Sequence, residues 1–101
     1  MPKTMLNLRL EQTADLDIET IFEQGLRQFG LSQAELYHDE LYRQFELLGE
    51  YPGLGRPIHS VKYPGAQKFG FGSHIIVFSH GDTTLTVHRI FHARSNYTRY
   101  L

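Results

Sequence analysis

The sequence predicts an α+β domain: an N-terminal strand, an antiparallel helical hairpin, and then a three-stranded antiparallel sheet. Two observations carry this. Apolar residues recur at every third and fourth position only between Asp15 and Leu48, and elsewhere they alternate or form short runs. The two regimes meet at Pro52-Gly53-Leu54-Gly55-Arg56-Pro57, whose prolines cannot continue a helix and whose glycines admit turns.

Taken in order, Leu6, Leu8 and Leu10 alternate with Asn7 and Arg9, the pattern of a short edge strand with one buried face. From Asp15 the period lengthens. Ile18, Ile21, Phe22, Gly25 and Phe29 form a helical stripe, with Asp17, Glu19, Glu23 and Gln24 on the outer face. Gly30 is placed to end this helix in a left-handed cap, and Ser32-Gln33-Ala34-Glu35 reads as a capping box opening a second helix. Ala34, Tyr37, Leu41, Phe45 and Leu48 supply that helix's apolar stripe, and Gly49 with Pro52 stops it.

Three strands follow Pro64-Gly65: Gln67 to Gly72 with Phe69 and Phe71 on one face, Ile75 to Phe78, and Leu85 to Phe91, the last two joined at Gly81-Asp82. The run Ile75-Ile76-Val77-Phe78 has no polar alternation, which predicts a central strand covered on both sides. Strict alternation in the last strand puts Thr86, His88, Ile90 and His92 on one face. Leu85, Val87, Arg89 and Phe91 take the other.

A chain of 101 residues leaves room for one domain, 1–101. It has no cysteine, so disulfides and thiolate metal sites are excluded, and the fold rests on packing in a manner suited to a reducing cytoplasm. The opening Met1-Pro2-Lys3-Thr4-Met5-Leu6 lacks the apolar run of a signal peptide, and no stretch has the length of a membrane span. The expectation is a cytoplasmic protein without membrane contact. Net charge is −1, yet ten of the eleven carboxylates lie before Tyr51, while six of the ten Lys and Arg and five of the six His lie after it. Such a dipolar chain should present a basic surface to an anionic partner.

The candidate functional residues therefore come from the second half. Arg89, set in an apolar row, needs partners for five donors, so it either braces backbone carbonyls or faces a groove open to solvent. His74 reads as a hydrogen-bonding scaffold residue. His88 and His92, four apart on a strand, are separated by roughly 13 Å and cannot share a metal ion. No metal or cofactor is expected. The glycine-rich connector lacks the Gly-Lys-Ser/Thr ending of a phosphate loop.

Pro52-Gly53-Leu54-Gly55-Arg56, then Lys68-Phe69-Gly70-Phe71-Gly72-Ser73-His74-Ile75-Ile76-Val77-Phe78, then Val87-His88-Arg89-Ile90-Phe91-His92-Ala93-Arg94 resemble, in order and spacing, the ParE branch of the RelE/ParE toxin superfamily. Gly30-Leu31-Ser32-Gln33-Ala34 looks like the junction between that family's two helices. Lys68 stands where an arginine is usual. The resemblance spans almost the whole chain and implies a bacterial type II toxin–antitoxin toxin of the kind associated with plasmid stabilisation. Such a toxin is not itself a catalyst; it inhibits DNA gyrase and is silenced by a ParD-like antitoxin. It implies Lys68, His74, Arg89, His92 and Arg94 as partner-binding candidates, and no direct sequence-specific contact with nucleic acid. The alternative is the superfamily's ribosome-dependent messenger RNA endonuclease branch, for which His92, Arg94 and Tyr97 would supply the chemistry. A chain of net charge −1 and pI about 6.6 is poorly matched to RNA inside a ribosome. A non-toxic antitoxin-binding module is the third reading.

Overall fold

A computed structural model describes residues 5–101; Lys3, counted in the charge of the first half, lies outside them. The chain runs β1 (Asn7–Leu10), α1 (Gln12–Phe29), α2 (Leu31–Glu50), β2 (Arg56–Pro57), β3 (Gln67–Phe71), β4 (His74–His80) and β5 (Thr84–His92), with short 3₁₀ turns at Pro52–Leu54 and Tyr97–Tyr100. The sheet has five strands in the order β1-β5-β4-β3-β2, where the sequence predicts three. β1 is the edge strand that the alternation of Leu6, Leu8 and Leu10 predicts; what local pattern does not read is its partner, and β2 altogether. β1 joins by parallel pairing with β5 across most of the chain, and β2 is only two residues long, one of them proline.

The helical hairpin packs on one face of the sheet. Ile18 of α1 and Leu41, Phe45 and Leu48 of α2 meet Ile76 and Phe78 of β4 and Leu85, Val87 and Ile90 of β5 in the main core. Phe69 and Phe71 of β3 join from the same side, as their two-residue spacing predicts. On the opposite face, Val77 and Phe91 pack with Tyr63 and Ala66, bordered by Ile58, Ile75, Tyr97 and Leu101. β4 is therefore central and covered on both sides, the arrangement its unbroken apolar run anticipates. The second cover is the connector around residues 58–66, pinned where Lys62 N–H and the Ser60 hydroxyl donate to the Leu101 carbonyl at 2.9 and 2.6 Å.

Gly30 alone makes the turn between the helices. At φ 87° and ψ 174° it occupies a region nearly closed to other residues, donates its N–H to the Leu26 carbonyl at 3.1 Å, and accepts from Ala34 N–H at 3.1 Å. α2 consequently starts at Leu31, and the Ser32 capping box does not form. Gly49 falls within the last turn of α2, which runs on to Glu50; its carbonyl takes the Leu6 N–H at 3.1 Å, tying β1 to the end of the hairpin.

Gly55 is required by a close approach. A Cβ there would stand 2.4 Å from Phe78 Cζ, in the main core. Gly55→Ala should therefore destabilise the fold by about 1–3 kcal/mol through overpacking. Gly53→Ala, with nothing within 4 Å of its Cβ, should be close to neutral. Urea unfolding of the two variants checks this, and equal midpoints would contradict the packing assigned to Phe78.

Candidate functional site

Strand β5 carries most of the candidate residues, and a bulge decides where they point. Val77 pairs with Arg89 but Phe78 pairs with Val87, so His88 and Arg89 together oppose one residue of β4. Before the bulge Leu85 and Val87 face the helices; after it Ile90 does. The strict alternation expected from sequence therefore holds only to Val87, and Arg89 does not share a row with Leu85 and Val87. It lies over the Phe91 ring, 4.5 Å from its centroid, on the face away from the hairpin.

α1 closes the edge of β5 where β1 ends. Glu11 N–H donates to the Val87 carbonyl at 3.0 Å, and the Thr13 hydroxyl donates to the His88 carbonyl at 2.7 Å. Asp17 then accepts from Ile90 N–H at 2.9 Å and from Arg89 Nε and Nη2 at 2.8 and 3.2 Å. Side chains of a helix thus continue the pairing that a strand began. Asp17, expected on the outer face of α1, is turned inward for this purpose. The Asp17 bond first, and its charge with it, raise the Arg89 pKa further above its ordinary value against the opposing effect of burial, so the guanidinium stays charged. Arg89 is a brace, but on the Asp17 carboxylate rather than on the backbone carbonyls that the sequence suggests. His88 is held likewise: its Nδ1 meets the Glu11 carboxylate, its Nε2 lies 2.7 Å from Ser79 Oγ, and its ring stacks on Tyr63.

The candidate residues divide into two groups. On the face away from the helices, Lys68 Nζ reaches Tyr97 Oη at 3.5 Å, Tyr97 and Tyr100 stack on Phe91, and Arg89 completes the patch. On the helix side, His74 and His92 are directly paired across β4 and β5, with ring centroids 5.3 Å apart. Arg94 is exposed beyond the strand and donates its backbone N–H to His92 Nδ1 at 3.1 Å. His92 and Tyr97 are therefore on opposite sides of the sheet, and His92, Arg94 and Tyr97 do not converge.

His74 and His92 lie at the sheet end of a cleft of about 340 Å³ between the hairpin and the strand ends, walled by Ile21, Phe22, Ala34 and Leu41. Tyr37 of α2 stands beside them, a residue whose apolar-stripe position in sequence gives no hint of polar work. Its hydroxyl lies 2.6 Å from His74 Nδ1, 3.3 Å from the Phe71 carbonyl, and accepts Ser73 N–H at 3.2 Å. Burial, and secondarily the charge of His92, lowers the His74 pKa below the ordinary imidazole value. Burial also raises the Tyr37 pKa, helped by Glu40 and opposed by the Ser73 N–H.

Most of the exposed large apolar side chains lie elsewhere than the charge pattern suggests, although Val61 in the connector is exposed too. Leu26, Phe29, Leu31 and Leu36 at the hairpin tip belong to the acidic half of the chain, and Phe29 is 69% exposed. The basic half's sheet face is largely covered by the connector and the C-terminal 3₁₀ turn. Among the described residues no group of three or more His, Cys, Asp or Glu is placed to hold a metal, and no helix is long and apolar enough to cross a membrane.

Asp17→Ala should cost about 2–3 kcal/mol, since it strands a charged donor and a backbone N–H together. Paired with Arg89→Ala in a double-mutant cycle, it should show coupling above about 1 kcal/mol, whereas Arg94→Glu should leave the unfolding midpoint nearly unchanged. Additive losses at Asp17 and Arg89 would contradict the clamp. The depressed His74 pKa has a signed consequence: below the ordinary imidazole pKa the unfolded chain binds the proton that the folded chain resists, so stability should fall as pH drops from about 7 towards 5. His74→Gln should flatten that slope in thermal melts.

Comparison with known proteins places this arrangement. The family model for the ParE toxin of the parDE type II toxin–antitoxin system matches residues 8–97. Toxin ParE1 of Caulobacter vibrioides is 28% identical over 88 residues, covering 87% of this chain and 90% of that protein. Toxin ParE1 of Mycobacterium tuberculosis is 30% identical over 93 residues, covering 91% and 94%. Among solved structures, a chain of the chromosomal ParDE system of P. aeruginosa superposes with a TM-score of 0.73 at 17% identity, covering 89% of this chain and 98% of that one. A chain of the RelBE2 toxin–antitoxin complex of M. tuberculosis gives 0.61 at 18% identity, covering 88% and 99%. On the family model over residues 8–97 and the 30% identity over 91% of its length, the chain belongs to the ParE toxin family of type II toxin–antitoxin systems.

Proposed function

We propose that this toxin acts by binding, inhibiting DNA gyrase, and that a ParD-like antitoxin holds it inactive. The observation that carries the reading is the division of the candidate residues by the sheet. A ribonuclease needs a base, an acid and a phosphate-holding cation around one point. His92 and Tyr97 lie on opposite faces, and Lys68 and Arg89 are engaged with Tyr97 and Asp17. What remains exposed is surface suited to protein partners: an apolar hairpin tip beside a cleft, and Arg94 at the end of β5.

An antitoxin is supported by the company the fold keeps, since the ParDE and RelBE2 structures come from toxin–antitoxin assemblies. A segment that folds on binding could cover the hairpin tip and cleft together. One observation favours the nuclease alternative: His74 and His92 are adjacent and Tyr37 is hydrogen-bonded to the first, an acid–base pair in principle.

The purified protein, titrated into plasmid supercoiling by gyrase, should abolish supercoiling or accumulate trapped double-strand breaks. A ribosome-programmed RNA incubated alongside should stay intact. Cut RNA with unaffected gyrase would refute the proposal and make His74 and His92 the first residues to mutate. Inactivity in both reactions would favour a non-toxic antitoxin-binding module. Arg94→Glu should weaken gyrase inhibition or antitoxin binding at unchanged stability.

A further inference from the structure

Ser79, His88 and Glu11 form a hydrogen-bonded line on the face of the sheet away from the hairpin. A carboxylate only accepts, so the contact with Glu11 places the ring hydrogen of His88 on Nδ1. In the neutral imidazole Nε2 is then an acceptor, and the Ser79 hydroxyl donates to it at 2.7 Å. Tyr63 stacks on the ring with centroids 4.7 Å apart and holds its plane. Nucleophile, base and orienting carboxylate therefore come in the order, and within the reach, that activates a serine. β4, β5 and the residue between β1 and α1 supply them, so no local motif announces the set.

Bracing explains this line less well than it explains the Asp17 clamp. Asp17 satisfies a backbone N–H and a charged donor, whereas Ser79 Oγ and the Glu11 carboxylate serve only His88 among the described residues. Ser79 is partly exposed and the Glu11 side chain is 35% exposed, so water would satisfy both without the line.

The registers bring two further groups beside Ser79. Ser79 pairs with Thr86 of β5, and Thr86 pairs with Arg9 of β1, so the three side chains form a row across one face. With strands about 5 Å apart, the backbones of Arg9 and Ser79 are roughly 10 Å apart, a span that a long side chain and a small ligand fill together. Arg9 is exposed, and neither its guanidinium nor the Thr86 hydroxyl has a side-chain partner among the described residues.

We propose that Ser79 is the nucleophile of an acyl-transfer site, with His88 as general base, Glu11 as the positioning residue for its ring, and Arg9 holding an anionic group of the substrate. The substrate class is an activated ester whose acyl part carries a carboxylate. Ser79 Oγ attacks the carbonyl carbon while its proton passes to His88 Nε2, and the Thr86 hydroxyl is the donor that the row offers to the oxyanion. The carbonyl re-forms as the bond to the leaving oxygen breaks, and His88 gives the proton to that oxygen. Water then attacks the Ser79 ester by the same path, releasing the acid and restoring the hydroxyl. The site lies across the sheet from His74 and His92 and has no part in the proposed inhibition of gyrase.

The test incubates the whole chain with the mono-4-nitrophenyl ester of adipic acid and with the methyl ester of that compound, reading nitrophenol release and intact mass. The free acid should react about 10-fold faster than its methyl ester, leaving an adipoyl group that peptide mapping finds on Ser79. Ser79→Ala should lose both the adduct and the release above background. Arg9→Gln, on an exposed side chain, should bring the two esters to equal rates at an unchanged melting temperature. Glu11→Gln should lower kcat about 100-fold at unchanged KM, and Glu11→Asp should restore part of it. Full release by Ser79→Ala, adducts spread over lysines and tyrosines, or release no faster than from the chain unfolded in urea would each overturn the proposal. Unequal rates for the two esters in Arg9→Gln would overturn the place given to Arg9. Gyrase inhibition stands or falls separately, in the supercoiling assay.

Discussion

The clamp of Asp17 on Arg89 and Ile90 is the interaction on which the rest of the structure depends. A strand flanked by a partner too short to cover it leaves polar backbone groups at an edge beside the core, and unsatisfied they are costly. β1 ends at Leu10, paired with Val87, and three side- and main-chain groups of α1's first turns take over from there. The bulge at His88 and Arg89 gives both side chains the same face, and Asp17 fixes the second of them. Everything beyond Ile90, including the position of His92 against His74, is set by that register.

The consequence is a molecule with two unlike surfaces of one sheet. Aromatic stacking with cationic cover occupies one: Phe91, Tyr97, Tyr100, Arg89 and Lys68 satisfy each other there. The helix side keeps its unused capacity, with two imidazoles, a shared phenol, apolar cleft walls and a bare hairpin tip. The acidic half of the chain thus carries most of the exposed large apolar side chains, and the basic half supplies the imidazoles at the cleft's end. A partner that bridges both must be amphipathic, and the dipolar charge pattern makes orientation part of its recognition.

Much of this architecture was legible in the sequence. The hairpin followed from the stripes of Ile18 and Leu41, the central place of β4 from Ile75 to Phe78, and the β3 face from Phe69 and Phe71. The family followed from ordered motifs along the chain. What was not legible depends on contacts distant in sequence. The parallel pairing of β1 with β5 has no local signature, and the two residues of β2 are too few to have one. Alternation gave the wrong face for Arg89 because a bulge is a tertiary feature of two strands together. Asp17 looked like solvated surface since only its spacing of four from Thr13 hints that both lie on one flank of α1. Tyr37 was counted as core, but it is only half-buried, its ring beside Phe71 and its hydroxyl serving His74. The capping box failed because Gly30 satisfied the turn by itself.

Amide hydrogen exchange at Ile90 tests the clamp most directly. In the native protein this N–H, held by a carboxylate from α1 rather than by a neighbouring strand, should exchange as slowly as the β4 core amides. In Asp17→Asn it should speed up by well over tenfold while Ile76 and Val77 change only with global stability. Fast exchange at Ile90 in the native chain, or a uniform change across β4 and β5 in the variant, would show that the edge is closed in some other way and that the division of the two faces does not rest on Asp17.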